Sequence, residues 1–303
     1  MNQEFFYVAS NQDELPLHVL LVTPEESPRG LVQFCHGMAE HKERYLPFME
    51  YLCNEGYACL IHDHRGHGQS VLSPEDLGYF GDNGAEALVE DLHQLTQLFR
   101  SRYPGLPLSL FGHSMGSLIV RCYLKKYDAD VDSLIVSGCV SQNPGAKAGL
   151  KLVRTLQKFR SPHARVEAVT AMAFGSYWRS VKGASSRNAW ICSDPAVVAA
   201  YDADPLCGFS FTLNGYEALF SLVCDTYSED GWQVTSPDLP IHFISGVDDP
   251  CLINLEAFAK ALQFLRARGY RNVSSTLLDD MRHEVLNEAD HEKVYTDIAH
   301  HLK

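Results

Sequence analysis

The chain has 303 residues, 46% of them hydrophobic and 21% charged, with a formal net charge of −13. That length fits one large domain with an elaboration, and the apolar content is ample for a sizeable core. The acidic balance excludes a general nucleic-acid binder, which needs a basic surface to neutralise phosphates. The nine cysteines are an odd number, scattered singly with no CxxC pair, so neither a disulfide framework nor a zinc ribbon is suggested. The opening residues MNQEFFYVAS lack a basic segment followed by a sustained apolar run. No window approaches the roughly 18 consecutive apolar residues that a membrane-spanning helix requires. A reducing, cytoplasmic location is expected.

The β-rich segments 3–10 and 15–22, separated by polar NQDE, read as an antiparallel hairpin at a sheet edge. Short β-rich runs then alternate with helical patterns. The strands are LVQFCH (31–36), YACLIHD (57–63), LSLFGH (108–113), SLIVSG (133–138), IHFISG (241–246) and VSSTLLD (273–279). The helices are PFMEYLCNEG (47–56), EALVEDLHQLTQLFRSRY (86–103), SLIVRCYLKKY (117–127) and LEAFAKALQFLRARG (255–269), with a last one after residue 288. Such alternation means a mostly parallel, eight-stranded α/β sheet covered on both faces.

The rhythm breaks between Ser141 and about Thr235, where helical patterns run without a clear strand. That is too long for a simple crossover and reads as an inserted helical cap, so the expected division is core 1–140, cap 141–235 and core 236–303. Lys147, Lys151, Arg154 and Lys158 recur at helical spacing, with Leu152, Val153, Leu156 and Phe159 expected opposite. The first meaning is a solvated helix face; the second is a surface for transient contact with a membrane or an anionic head group.

QFCHGMAEHKERY (33–45) places His36, Glu40 and His41 close together, as in a metal site. The histidines are five apart and begin at a strand end followed by glycine, a poor match to the i, i+4 zinc spacing on a helix. No metal is expected there. The stronger signal is GHSMG (112–116), a G-x-S-x-G turn between a β-rich run and a helical pattern, which presents Ser114 as a nucleophile at the end of the sheet. A serine needs a base and the base an orienting carboxylate, in the chain order Ser, Asp or Glu, His. Asp248 and Asp249 follow the strand IHFISG, and His283 follows the last strand. His113 reads as a packing residue pointing away, while His242 and His291 fall within a strand and a helix.

HGMAEHKERY (36–45), DHRGHGQS (63–70), GHSMG (112–116), GVDDP (246–250) and MRHEVLNE (281–288) together resemble the α/β-hydrolases of the monoglyceride lipase, lysophospholipase and serine aminopeptidase-like family. The motifs stand in that family's order across nearly the whole core, and DPLCGFSFT (204–212) is similar to cap segments of bacterial members. The resemblance implies a catalytic triad of Ser114, Asp249 and His283, the acid being the fourth residue of G-x-x-D-P rather than the variable Asp248. The backbone N–H groups of Met38 and Met115 then form the oxyanion hole. Glu40, His41 and Arg44 hold the oxyanion loop from behind, and DHRGHGQS with its Arg65 is structural support.

The expected activity is hydrolysis of single-acyl lipid esters through an acyl-enzyme, without metal or cofactor, with the partner a small ester or lipid. Phe174, Tyr177, Trp178, Trp190, Phe209, Phe211 and Phe220 could wall an acyl channel or form the cap's own core. An aminopeptidase is the alternative and needs a cap carboxylate for the substrate amine, from Glu167, Asp194, Asp202, Asp204 or Glu217. A non-catalytic binding protein on the same fold is the third reading.

Overall fold

The computed structural model describes all of residues 1–303. Its centre is a single eight-stranded sheet: β1 (Asn2–Ala9), β2 (Pro16–Thr23), β3 (Gly30–Cys35), β4 (Tyr57–His62), β5 (Leu108–His113), β6 (Ser133–Ser137), β7 (Ile241–Gly246) and β8 (Val273–Leu278), in the spatial order β1-β2-β4-β3-β5-β6-β7-β8. β2 pairs antiparallel with β1 and β4, and every other pair is parallel. The expected edge hairpin is β1–β2. In β3, β4, β5, β6 and β7 every residue is buried, the mark of strands covered on both faces, whereas β1 is largely exposed.

Strand periodicity sends alternate residues to two cores. From β3, Leu31 and Cys35 enter the larger one beside α2 (Gly84–Arg102), α3 (Met115–Tyr127) and α8 (Leu255–Arg268). Val32 and Phe34 enter the smaller one beside α1 (Leu46–Asn54) and α9 (His291–His300). Gln33 also faces the larger core, and its amide is satisfied there by the Leu92 carbonyl at 3.1 Å and the Thr96 hydroxyl at 2.8 Å.

Between β6 and β7 the chain makes α4 (Ala146–Gln157), α5 (Glu167–Phe174), α6 (Pro195–Ala203) and α7 (Leu213–Thr226), with no strand. Leu213, Tyr216, Leu219, Leu222 and Val223 of α7 are part of the larger core. The four apolar residues expected on one face of the basic helix do not share one. Val153 is buried and Leu156 packs against the core, but Leu152 and Phe159 are 43% and 82% exposed. The inward line of α4 runs through Gly149 and Val153, which leaves Leu152 on the flank and Phe159 beyond the helix end. No helix is long and apolar enough to cross a membrane.

Candidate active site

Parallel strands deliver their loops to one edge of the sheet, where functional groups collect. At the end of β5 the chain turns through Ser114 at φ 54° and ψ −118° and enters α3 at Met115. A non-glycine residue with positive φ is strained, and the packing around it enforces the turn. A Cβ on Gly116 would lie 2.0 Å from the Cys35 carbonyl oxygen, and one on Gly112 would lie 2.6 Å from the Gly116 carbonyl oxygen. Only glycine allows α3 to approach β3 and β5 this closely.

Beyond β7, the carboxylate that meets His283 belongs to Asp249, with Oδ2 accepting from His283 Nδ1 at 2.9 Å. Its Oδ1 accepts the Cys251 N–H at 2.8 Å, which fixes the carboxylate plane. Asp248 is exposed and uses its backbone N–H to reach the Met281 carbonyl at 3.0 Å. His283 is 2% exposed. Burial alone would lower its pKa, but the Asp249 charge outweighs burial and holds it well above the ordinary imidazole value. Because Nδ1–H is committed to Asp249, Nε2 is the nitrogen that carries the lone pair when the ring is neutral. Ser114 and His283 line the same cavity without a hydrogen bond between them.

His113 does not point away as expected. Its ring lies 4.6 Å from that of His283, and it lines the cavity. Burial first, and the neighbouring His283 second, push its pKa well below the usual value, so it stays neutral. Trp190, from the insertion, covers His283 at 4.9 Å, and Cys251 Sγ lies 4.0 Å from His283 Nε2. Neither contact was legible in the sequence, since each depends on long-range packing.

The loop after β3 is tied on both sides of Met38. Gly37 N–H donates to Glu40, and Ala39 N–H donates to His67 Nε2 at 3.1 Å. Met38 N–H, between them, has no protein acceptor. Ala39 is at φ 50°, and its carbonyl accepts from the Tyr201 hydroxyl and the Gly208 N–H, both at 2.9 Å. Glu40 is held by Arg44 at 2.7 Å and by the Tyr45 hydroxyl at 2.8 Å. Arg44 reaches on to Glu284, beside His283, with contacts of 2.7 and 2.6 Å. Burial raises the Glu40 pKa despite Arg44, whereas at Glu284 the Arg44 charge overcomes burial and lowers it.

Glu40, His36 and His41 do not converge as a metal site would require. His36 is engaged by the Gly37 carbonyl at 2.8 Å and by the His64 N–H at 2.9 Å, and His41 lies between Glu43 at 2.6 Å and Asp204 at 3.0 Å. Arg65 braces the fold through Asp91 at 2.8 Å, Asp13 at 2.9 Å and the Phe80 carbonyl at 3.0 Å.

The cavity is lined by Met38, Ser114, Met115 and His283 on the core side, and by Phe174, Tyr177, Trp178, Trp190, Phe209, Leu219 and Phe220 on the other. Phe211 is absent from this wall; it is fully buried, 4.8 Å from Phe80. The carboxylates in the wall are Glu40 and Glu284, both committed to Arg44. None of Glu167, Asp194, Asp202, Asp204 and Glu217 lines it. Asp204 bonds His41, Asp202 bonds Asn188, Asp194 caps α6, Glu217 holds Arg154, and Glu167 lies 3.8 Å from Arg187.

The fold and the nucleophile turn are those of the α/β-hydrolase class. Residues 26–290 match the profile of the serine aminopeptidase S33 family, Hydrolase_4, and the chain belongs to that family. A monoacylglycerol lipase of Mycolicibacterium smegmatis is 28% identical over 281 residues, covering 91% of this chain and 89% of the relative. The human monoglyceride lipase is 30% identical over 131 residues, 43% of this chain and 42% of the relative. A thermostable carboxyl esterase of Bacillus coagulans, solved with glycerol, superposes with a TM-score of 0.90 at 26% identity, over 99% of both chains. Fold, family and these neighbours place the chain among the carboxylic-ester hydrolases.

Replacing Arg44 tests the buried triad Glu40–Arg44–Glu284. In Arg44→Met the two carboxylates lose their shared cation, and their folded pKa values rise above the unfolded ones. Their contribution is then lost as pH rises through the folded values. Urea denaturation should show a deficit of about 3–5 kcal/mol at pH 8 that shrinks towards pH 5.

Proposed function

We propose that the protein hydrolyses carboxylic esters through Ser114, His283 and Asp249, and that single-acyl lipids such as monoacylglycerols or lysophospholipids are its substrates. The observation that carries this reading is a strained serine, an Asp249–His283 pair and an unoccupied Met38 N–H, all opening on one apolar cavity. His283 Nε2 takes the Ser114 proton as the hydroxyl attacks the carbonyl carbon, while Asp249 holds the tautomer and stabilises the imidazolium. Charge developing on the carbonyl oxygen is met by the N–H groups of Met38 and Met115. His283 returns the proton to the leaving alcohol, then activates a water molecule that releases the acid from Ser114.

Residues 141–235 serve as the cap in this reading, with Phe174, Tyr177, Trp178, Trp190, Phe209 and Phe220 forming the acyl wall. Lipid substrates are favoured by that wall and by the lipase relatives. Aminopeptidase action is disfavoured because the cavity has no carboxylate free to bind a substrate amine. Transient membrane contact is supported by exposed Leu152 and Phe159 beside exposed Lys147, Lys151 and Lys158; Arg154 is paired with Glu217 at 2.8 Å. All nine cysteines are free, which supports a cytoplasmic placement that fractionation of the host checks.

A fluorophosphonate probe should label the wild type and not Ser114→Ala; equal labelling, or none of the wild type, rules out the serine mechanism. On a substrate panel, monoacylglycerols and lysophospholipids should be turned over faster than aminoacyl amides, and the reverse order would favour the peptidase. Asp249→Asn should lower kcat by about 10⁴, while Asp248→Asn should stay within about twofold. The base must be neutral to act, and its pKa is raised, so kcat/KM should climb with pH along a limb centred above the ordinary imidazole value of about 6.5. Sedimentation with anionic vesicles should lose at least about tenfold in affinity in Leu152→Ser/Phe159→Ser, and unchanged sedimentation removes the membrane proposal.

A further inference from the structure

At the opposite end of β7 from Asp249, three side chains converge outside the cavity. They are His242 on β7, Asp297 on α9 and His301 just past the last turn of α9. One ring nitrogen of each histidine and one carboxylate oxygen of Asp297 all lie within 4.8 Å of one another. The His242 side chain is 5% exposed, yet its Nε2 has no hydrogen-bond partner, and neither has Asp297 Oδ2, 3.9 Å away.

The remaining atoms of these side chains are already engaged, and that fixes which lone pairs face inward. His301 Nδ1 lies 2.9 Å from the Asp297 backbone carbonyl, which can only accept. Nδ1 must therefore carry the proton, and His301 Nε2 presents a lone pair. His242 Nδ1 lies 2.9 Å from the Ser274 hydroxyl. With the proton on Nδ1, His242 adds a second lone pair against the carboxylate. With the proton on Nε2, the N–H points at Asp297 and falls short of it. With both rings neutral, the unpartnered His242 Nε2 and Asp297 Oδ2 leave a cluster of lone pairs that a bound cation would satisfy.

We propose that His242, Asp297 and His301 form a binding site for a divalent transition metal of the zinc type, with water completing the coordination. Two imidazoles and a carboxylate are a donor set suited to such an ion. Both histidines already show the outer hydrogen bonds that orient metal-binding rings, to Ser274 and to the Asp297 carbonyl. The two rings are stacked with centroids 3.6 Å and planes 18° apart, so their in-plane lone pairs run nearly parallel, and binding requires one ring to turn until both point at the ion. His301 supplies that movement, since it lies beyond the helix and its ring is only half-buried. The two other clusters of ligand type differ in kind. His41 already has both nitrogens engaged by Glu43 and Asp204, and Asp249, Cys251 and His283 belong to the active site. A bound ion would fasten α9 to β7 and so steady the segment carrying His283 and Glu284, which leads directly into α9.

The test uses untagged protein stripped with a chelator and titrated with zinc against a chromophoric competitor. The wild type should take up one zinc that His301→Ala and Asp297→Asn do not. Its Tm should rise by roughly 3–6 °C at about a hundredfold excess over Kd, with the metal-free wild type and variants melting alike. Cobalt in place of zinc should give a visible spectrum without a thiolate charge-transfer band, which separates this site from the two clusters containing Cys207 or Cys251. Zinc uptake unchanged in His301→Ala, a thiolate band that persists in it, or no uptake by the wild type would each overturn the proposal.

Discussion

One guanidinium holds the two halves of the site together. Arg44 sits between Glu40, which sets the turn after β3, and Glu284, the neighbour of His283 after β8. These loops come from strands separated in the sheet by β5, β6 and β7, so no ladder hydrogen bond links them directly. The link is ionic, buried and bidentate towards Glu284, and Arg supplies a planar fork that Lys cannot. Two carboxylates share one cation, so the group carries a net negative charge out of water. That arrangement persists because Gly37 and Tyr45 donate to the other Glu40 oxygen and Asn287 adds a further donor to a Glu284 oxygen already held by Arg44.

The second constraint is steric. The closeness of Gly116 to the Cys35 carbonyl puts the start of α3 directly against the end of β3, and Met38, Ser114 and Met115 all line the one cavity. A bulkier residue at 116 would drive the helix away from β3. The strain at Ser114 follows from the same approach and is borne by the surrounding packing rather than by any local hydrogen bond of the serine side chain.

Much of this was legible because it is local. Strands buried on both faces read as continuous apolar runs, and the G-x-S-x-G turn states its own geometry. The choice between Asp248 and Asp249 came from resemblance, since adjacent aspartates in one loop look alike in sequence. The structure separates them by burial, placing Asp249 on His283 and leaving Asp248 in solvent. His113 was misjudged because the turn brings the residue before the serine back against the histidine of a distant loop. Residues such as Tyr201 and Trp190 act across separations of chain that periodicity does not encode. Glu284 was nearer to reach, standing directly beside His283 in the motif MRHEVLNE. The basic helix was misread for another reason: its helical phase was right, but the inward direction is set by Gly149 against Phe220, which no charge pattern reveals.

The carbonyl of Ala39 has two donors, Tyr201 and Gly208, and both come from the segment between β6 and β7. The Met38 N–H lies two peptide groups further towards the N-terminus on the same short loop, with the Ala39 N–H and its bond to His67 between them. Any rearrangement of that segment must break these two bonds or pull on the loop after β3. Under the proposed mechanism, the position of the segment that walls the cavity and the shape of the loop after β3 are therefore coupled through one carbonyl.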